Sequence, residues 1–180
     1  MRKLLAALFM VSLAAMPLSS QQTAEPAIPE ADAADVESLD AIIHALYDVI
    51  SGPAGPRDWD RFHSLFAPGA HLIPTRRGED GTWGSRVWTP EQYSEQAGQW
   101  FSSNAFYEVE AHRHVAEYGN LVHAFSTYES RREPDEDPFV RGINSIQLLN
   151  DGSRWWILTV MWADENSAGE LPEEYLPHDH

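Results

Sequence analysis

Six of the eight histidines of this 180-residue chain fall between residues 35 and 164, and two of them, His112 and His114, stand two apart. On a β-strand alternate side chains share a face, so this pair points the same way, and a tight turn at Gly119-Asn120 brings His123 diagonally opposite His114. Three neighbouring imidazoles can bind zinc or copper. By the same count Glu108 and Glu110 join that face, which is also the composition of a solvated or dimer-facing surface with incidental histidines. His71, on the first strand, and His63, in the second helix, are each a candidate base, because imidazole titrates closest to neutral pH. A hydrogen-bonded structural histidine is the alternative at both positions.

The opposite face of the same strand carries Tyr107, Val109, Ala111, Arg113 and Val115, with Ala124, Ser126 and Tyr128 on its neighbour. A half-buried arginine needs a counter-charge. Arg113 with Tyr47, Tyr128 and Asn144 can hold a carboxylate, an enolate or another anionic group; alternatively it pairs internally with a carboxylate such as Asp48. A one-residue slip in register would exchange the faces and bring His112, His114 and His123 inward. Among seven tryptophans, Trp88, Trp100 and Trp162 are candidates to line an aromatic ligand pocket, and the alternative is that they build the core. The sequence has no Gly-rich phosphate loop, no Gly-x-Ser-x-Gly elbow and no His-Glu-x-x-His motif, so kinase, dinucleotide oxidoreductase, serine hydrolase and zinc protease readings lack support.

The elements that must position these residues follow from periodicity. Val36, Leu39, Ile42, Ile43, Leu46, Tyr47 and Ile50 recur at helical spacing and predict an amphipathic helix over 35–51, stopped by Gly52-Pro53. Asp58 caps a short helix with Trp59, Phe62 and Phe66 on one face, ended by Pro68-Gly69; a strand over 70–75 follows. Residues 76–88 read as a loop or irregular hairpin. Thr89-Pro90-Glu91-Gln92 is a capping-box start for a third helix. Four strands come next, near 106–117, 120–131, 139–149 and 154–163.

At the N-terminus, Met1-Arg2-Lys3, an apolar run to Met16 and Pro17-Leu18-Ser19-Ser20 have the order of a secretory signal peptide, cut after Ser20 or after Ala24. Its removal leaves ten arginines, no lysine and 28 acidic residues, a charge near −18. Such a surface repels nucleic acid and anionic headgroups, and nothing then anchors the chain stably in a membrane. The expected location is periplasmic or secreted. With no cysteine, no disulfide supports the fold. Residues 21–34 read as a flexible linker, 35–164 as one domain and 165–180 as a disordered acidic tail.

Two helices, a strand, a third helix and a four-stranded antiparallel run resemble the nuclear transport factor 2-like superfamily, which includes SnoaL-like cyclases and ketosteroid isomerase. The segment Asp58-Trp59-Asp60-Arg61-Phe62-His63-Ser64-Leu65-Phe66-Ala67-Pro68-Gly69-Ala70 is similar to the superfamily's helix-into-strand passage, and Arg154-Trp155-Trp156-Ile157 to its closing hairpin. The resemblance covers about residues 39–162. It implies an α+β cone, three N-terminal helices packed on a curved, mainly antiparallel sheet, with a pocket inside. For isomerase chemistry it places Tyr47 near the phenol and Asn144 where an acid polarises the substrate oxygen; the base position falls on Pro74, which cannot take a proton. The expectation is a domain that binds a small organic ligand, as a homodimer, and if catalytic is a cofactor-free lyase or isomerase. There Tyr47 and Asn144 polarise an oxygen, Arg113 neutralises charge, and His71 or His63 moves the proton. A non-catalytic dimeric association module and a histidine-rich metal-binding protein are the alternatives.

Overall fold

The computed structural model describes residues 27–177; the signal peptide expected at 1–20 and residues 21–26 of the expected linker lie outside them. The long first helix is in fact two: α1 (Ala33–Val36) and α2 (Leu39–Ile50). Ser38 separates them because its hydroxyl accepts from Ala41 N at 3.0 Å and restarts the helix, the usual use of serine at an N-cap. Asp35, left outside α2, is held by Arg61 at 2.7 Å.

Asp58 caps α3 (Trp59–Ser64) as its position predicts. The strand β1 then runs over Phe66–Arg77, earlier and longer than expected. Pro68 and Gly69 do not precede it. They occupy the irregularity between Phe66 and His71, where Gly69 takes φ +74° and the strand steps out of register with its neighbour, the setting in which a sheet tolerates both residues. The polar stretch after β1 folds back as β2 (Trp83–Ser85), and α4 (Pro90–Phe101) begins with the Thr89/Gln92 capping box.

Strands β3 (Tyr107–Tyr118), β4 (Leu121–Arg131), β5 (Val140–Asn150) and β6 (Trp155–Asp164) complete a six-stranded sheet ordered β2-β1-β6-β5-β4-β3. Only the β1–β6 pairing is parallel. The sheet curves around the helices, giving the α+β cone that the element order implies. Ile42, Ile43, Phe62, Phe66, Ile146, Leu148 and Ile157 are fully buried between helices and sheet. Phe62 stacks on Tyr93 and meets Trp59 edge-on, so truncating it to Ala removes about 3–5 kcal/mol.

The acidic tail differs from its composition-based reading as disordered. Residues 165–168 form a helix, α5, and 173–175 a 3-10 turn. The Tyr175 ring lies edge-on against Phe125 at 4.9 Å, and Thr127 Oγ1 donates to Tyr175 O at 2.6 Å. A single aromatic and a backbone carbonyl, invisible to a count of charges, seat the segment on the outer face of the sheet. Among the described residues no helix is long and apolar enough to cross a membrane.

Candidate functional site

One feature of β3 decides which side chains enter the cone. Opposite β4, Glu108 pairs with Ser130 and Glu110 with Tyr128, yet the next residue of β4, Thr127, faces His112. Ala111 is therefore an extra residue, a β-bulge, and a bulge shifts the alternation of faces by one. Before it the even-numbered Glu108 and Glu110 point inward; after it the odd-numbered Arg113 does, opposite Ser126. Simple alternation put Glu108 and Glu110 outside with the histidines and Val109 inside. The structure reverses this, leaving Val109 43% exposed.

Inside the cone a cavity of about 140 Å³ is lined by Tyr47 from α2, Glu108 from β3, Tyr128 from β4, Asn144 from β5 and Trp162 from β6, with apolar walls from Leu46, Ile50, Phe62, Leu72, Phe106 and Val160. Tyr47 and Asn144 thus meet as their alignment implies: Asn144 Nδ2 donates to Tyr47 Oη at 3.0 Å. Tyr47 Oη also lies 2.7 Å from Ser126 Oγ. Ser130 Oγ donates to Glu108 Oε2 at 2.8 Å.

Glu108 is the titrating group of this cavity. Burial pushes its carboxyl up from 4.5 to about 7, against the hydrogen bonds from Ser130 and Asn144 that favour the ionised form. Desolvation wins because an apolar wall replaces most of the water a carboxylate needs. Burial likewise raises the Tyr47, Tyr93 and Tyr128 phenols well above their ordinary value, and the Glu108 charge adds to each. These phenols stay neutral at physiological pH.

Arg113 does not enter the cavity. Its guanidinium grips Glu110 at 2.8 and 2.6 Å and reaches Asp40 at 2.7 Å, so it is internally paired. Asp48, the partner considered from sequence, is held by Arg61 instead. His71 and His63 are likewise apart from Tyr47 and Asn144. Both line a separate outer hollow beside residues 27–29, where His71 is exposed and His63 Nε2 lies 3.0 Å from Ser94 Oγ. Since Ala70 and Leu72 face the core, alternation turns His71 outward. The expected grouping of Tyr47, His71 and Asn144 is not formed, and the ionisable carboxyl that lines the cavity with Tyr47 and Asn144 is Glu108.

Of the three tryptophans, only Trp162 lines the cavity. Trp88 pairs through its backbone with Leu72 and packs on Tyr93. Trp100, 40% exposed, meets Phe101 and Phe106, with the Arg132 guanidinium over its ring. The histidine face is outward as expected: His112 lies opposite Thr127, His114 opposite Phe125, and His123 is 2.9 Å from Ser145. Among the described residues no three His, Asp or Glu side chains are grouped to hold a metal ion. What sequence reasoning missed is Glu108. The available signal was Arg113 itself: an inward cation needs a carboxylate nearby, and one extra residue between Glu110 and Arg113 puts both on the same face.

No protein-family model matches the chain, and no curated protein matches it. Solved structures do. A cystatin-like protein of unknown function from Nostoc punctiforme superposes with a TM-score of 0.55 at 10% identity, over 75% of this chain and 94% of that one. A protein from Kribbella flavida gives a TM-score of 0.52 at 10% identity, over 68% and 85%. A nuclear transport factor 2-like protein of unknown function from Silicibacter pomeroyi gives 0.48 at 11%, over 71% and 93%. At such identities the likeness is one of fold. The chain has a cystatin-like α+β fold.

Proposed function

We propose that this protein binds a small organic molecule in the cone cavity and moves a proton on it without a cofactor, as an isomerase or lyase with Glu108 as the proton carrier. The observation that carries this reading is a carboxyl raised to about 7 in an apolar cavity beside Asn144, Tyr47 and Tyr128. Near neutral pH such a group exists in both protonation states, so it can take a proton from one carbon and return it to another. Asn144 Nδ2 and the Tyr128 hydroxyl are placed to hydrogen-bond an oxygen of the ligand as negative charge develops on it. The volume limits the guest: about 150 Å³ accommodates one benzene-sized ring, and 140 Å³ therefore favours a single-ring or short-chain carbonyl compound.

Cyclohexanone in D2O tests this directly. NMR is expected to show accelerated loss of its α-protons with the native protein, and Glu108→Gln should reduce that rate by about 10²- to 10⁴-fold. No saturable binding of any ring-sized ketone, or equal exchange rates in both proteins, would sink the reading. The same proposal takes residues 1–20 as an export signal, to be checked by N-terminal sequencing of the mature protein. It also takes the outer sheet face, where Met161 is 44% exposed, as the surface of a homodimer, to be checked by native mass spectrometry.

A further inference from the structure

The Tyr47 hydroxyl is the inner end of a hydrogen-bonded chain that leaves the cavity. Ser126 Oγ donates to Glu110 Oε1 at 2.5 Å, and Ser126 is fully buried. A serine has one hydroxyl hydrogen and an ionised carboxylate none, so with Ser126 committed to Glu110 the Tyr47 O–H must donate to Ser126 across their 2.7 Å contact. Tyr47 Oη in turn accepts from Asn144. Every donor in the chain points toward Glu110. Glu110 itself lines a second hollow of about 490 Å³, with Asp40, His44, Asp48, Arg113 and Arg131, in which Asp40 is 89% exposed on its side chain. Tyr47 and Glu108 line both spaces and form the wall between them.

We propose that Tyr47, Ser126 and Glu110 form a proton relay between the cone cavity and this outer groove, with Glu110 as a second, solvent-side acid–base group. A proton arriving at Tyr47 Oη from the cavity displaces the Tyr47 hydrogen onto Ser126 Oγ, and the Ser126 hydrogen passes to Glu110 Oε1. The net result is one proton moved to Glu110, with both hydroxyls unchanged and turned to face the cavity. Release of that proton into the groove and rotation of the two hydroxyls restore the starting arrangement. The transfer is concerted, because burial raises the Tyr47 phenol and disfavours a free tyrosinate. Arg113 from its own strand holds both carboxylate oxygens, Ser126 from β4 presents the incoming proton, and Asp40 from α2 meets the far side of Arg113.

This relay rests on the cavity being the reacting site, yet it can be tested with no ligand. The protein is labelled with 13C at tyrosine Cζ, Tyr47→Phe identifies the resonance, and the deuterium isotope shift in mixed H2O and D2O gives the exchange rate of the Tyr47 hydroxyl. A relay predicts that Ser126→Ala and Glu110→Gln each slow this exchange by about a hundredfold, while Ser126→Thr keeps it within a few-fold of native. Glu110→Gln preserves shape and an acceptor for Ser126, so it reads the relay even where Ser126→Ala loosens the fold. Exchange unchanged or faster in Glu110→Gln overturns the proposal and leaves the chain a structural one. A normal relay with no ketone exchange would instead count against the proposed reaction alone.

Discussion

The two faces of the β3–β4 pair carry the same kinds of ionisable side chain and put them to opposite use. Outside, three histidines stand on the outer face, with His114 exposed and His123 Nε2 2.9 Å from Ser145 Oγ. Inside, Glu108 is raised to about 7 and Glu110 is clasped by Arg113. A reading by residue type looks first at the imidazoles because they titrate near neutrality in water. The structure gives that property to a carboxylate, since removing water from around a charge moves its titration further than the ordinary difference between side-chain types.

That contrast can be broken most severely at Gly142, where β5 passes beneath the Tyr128 ring. A Cβ there would sit 2.3 Å from Ala163 O and 2.5 Å from Tyr128 Oη. Gly142→Ala is expected to lower stability by about 3 kcal/mol in urea denaturation, with Tyr128 displaced from the cavity wall. The equivalent insertion on the exposed outer turn, at Gly152, meets no atom within 4 Å, although its φ of +95° still penalises a side chain.

Next in size is the pH dependence of the inner face. The folded protein holds the Glu108 proton up to about pH 7, whereas the ordinary value is 4.5. Between these values the folded state binds more protons than the unfolded chain, so the contribution of this group to stability is complete below about 4.5 and is lost as the pH rises through about 7. The expected loss is on the order of 2–3 kcal/mol. Urea melts on either side of the window should show it, and Glu108→Gln should flatten that part of the profile. A native profile already flat there would mean that water reaches the carboxylate.

Tyr47→Phe is a smaller perturbation. It removes the Oη shared by Ser126 and Asn144 and leaves buried polar groups unsatisfied, a cost of about 1–3 kcal/mol. The outer face supplies the baseline: His114→Ala should change stability by less than about 0.5 kcal/mol. An effect at His114 as large as that at Tyr47 would erase the distinction between the faces.

The order of the elements was legible because it depends on neighbours in the chain. Helical spacing from Leu39 to Ile50, the Asp58 cap and the Thr89/Gln92 box, and the alternation and turn residues of the last four strands all act over a few residues. The sequence resemblance brought Tyr47 and Asn144 together, 97 residues apart, because both lie in segments whose register the pattern fixes. Where the register changes inside a strand, local pattern fails. Ala111 is an unremarkable alanine, and only its pairing with β4 makes it a bulge. The same applies to Ser38, whose hydroxyl ends one helix and starts the next, and to Tyr175, which seats an acidic tail that composition alone leaves unpacked.

The sequence by itself therefore determined the class of fold, the α+β cone, and two of the polar residues within it. Tertiary structure decided which face each charge occupies. The bulge turned Glu108 and Glu110 inward, alternation in β1 carried His71 away from the cavity, and Arg113 found its partners on its own strand and on α2. The physical reason is that hydrophobic periodicity encodes which elements form, whereas the titration of a carboxyl depends on how much water surrounds it, and that is settled only when distant segments close around the same small space.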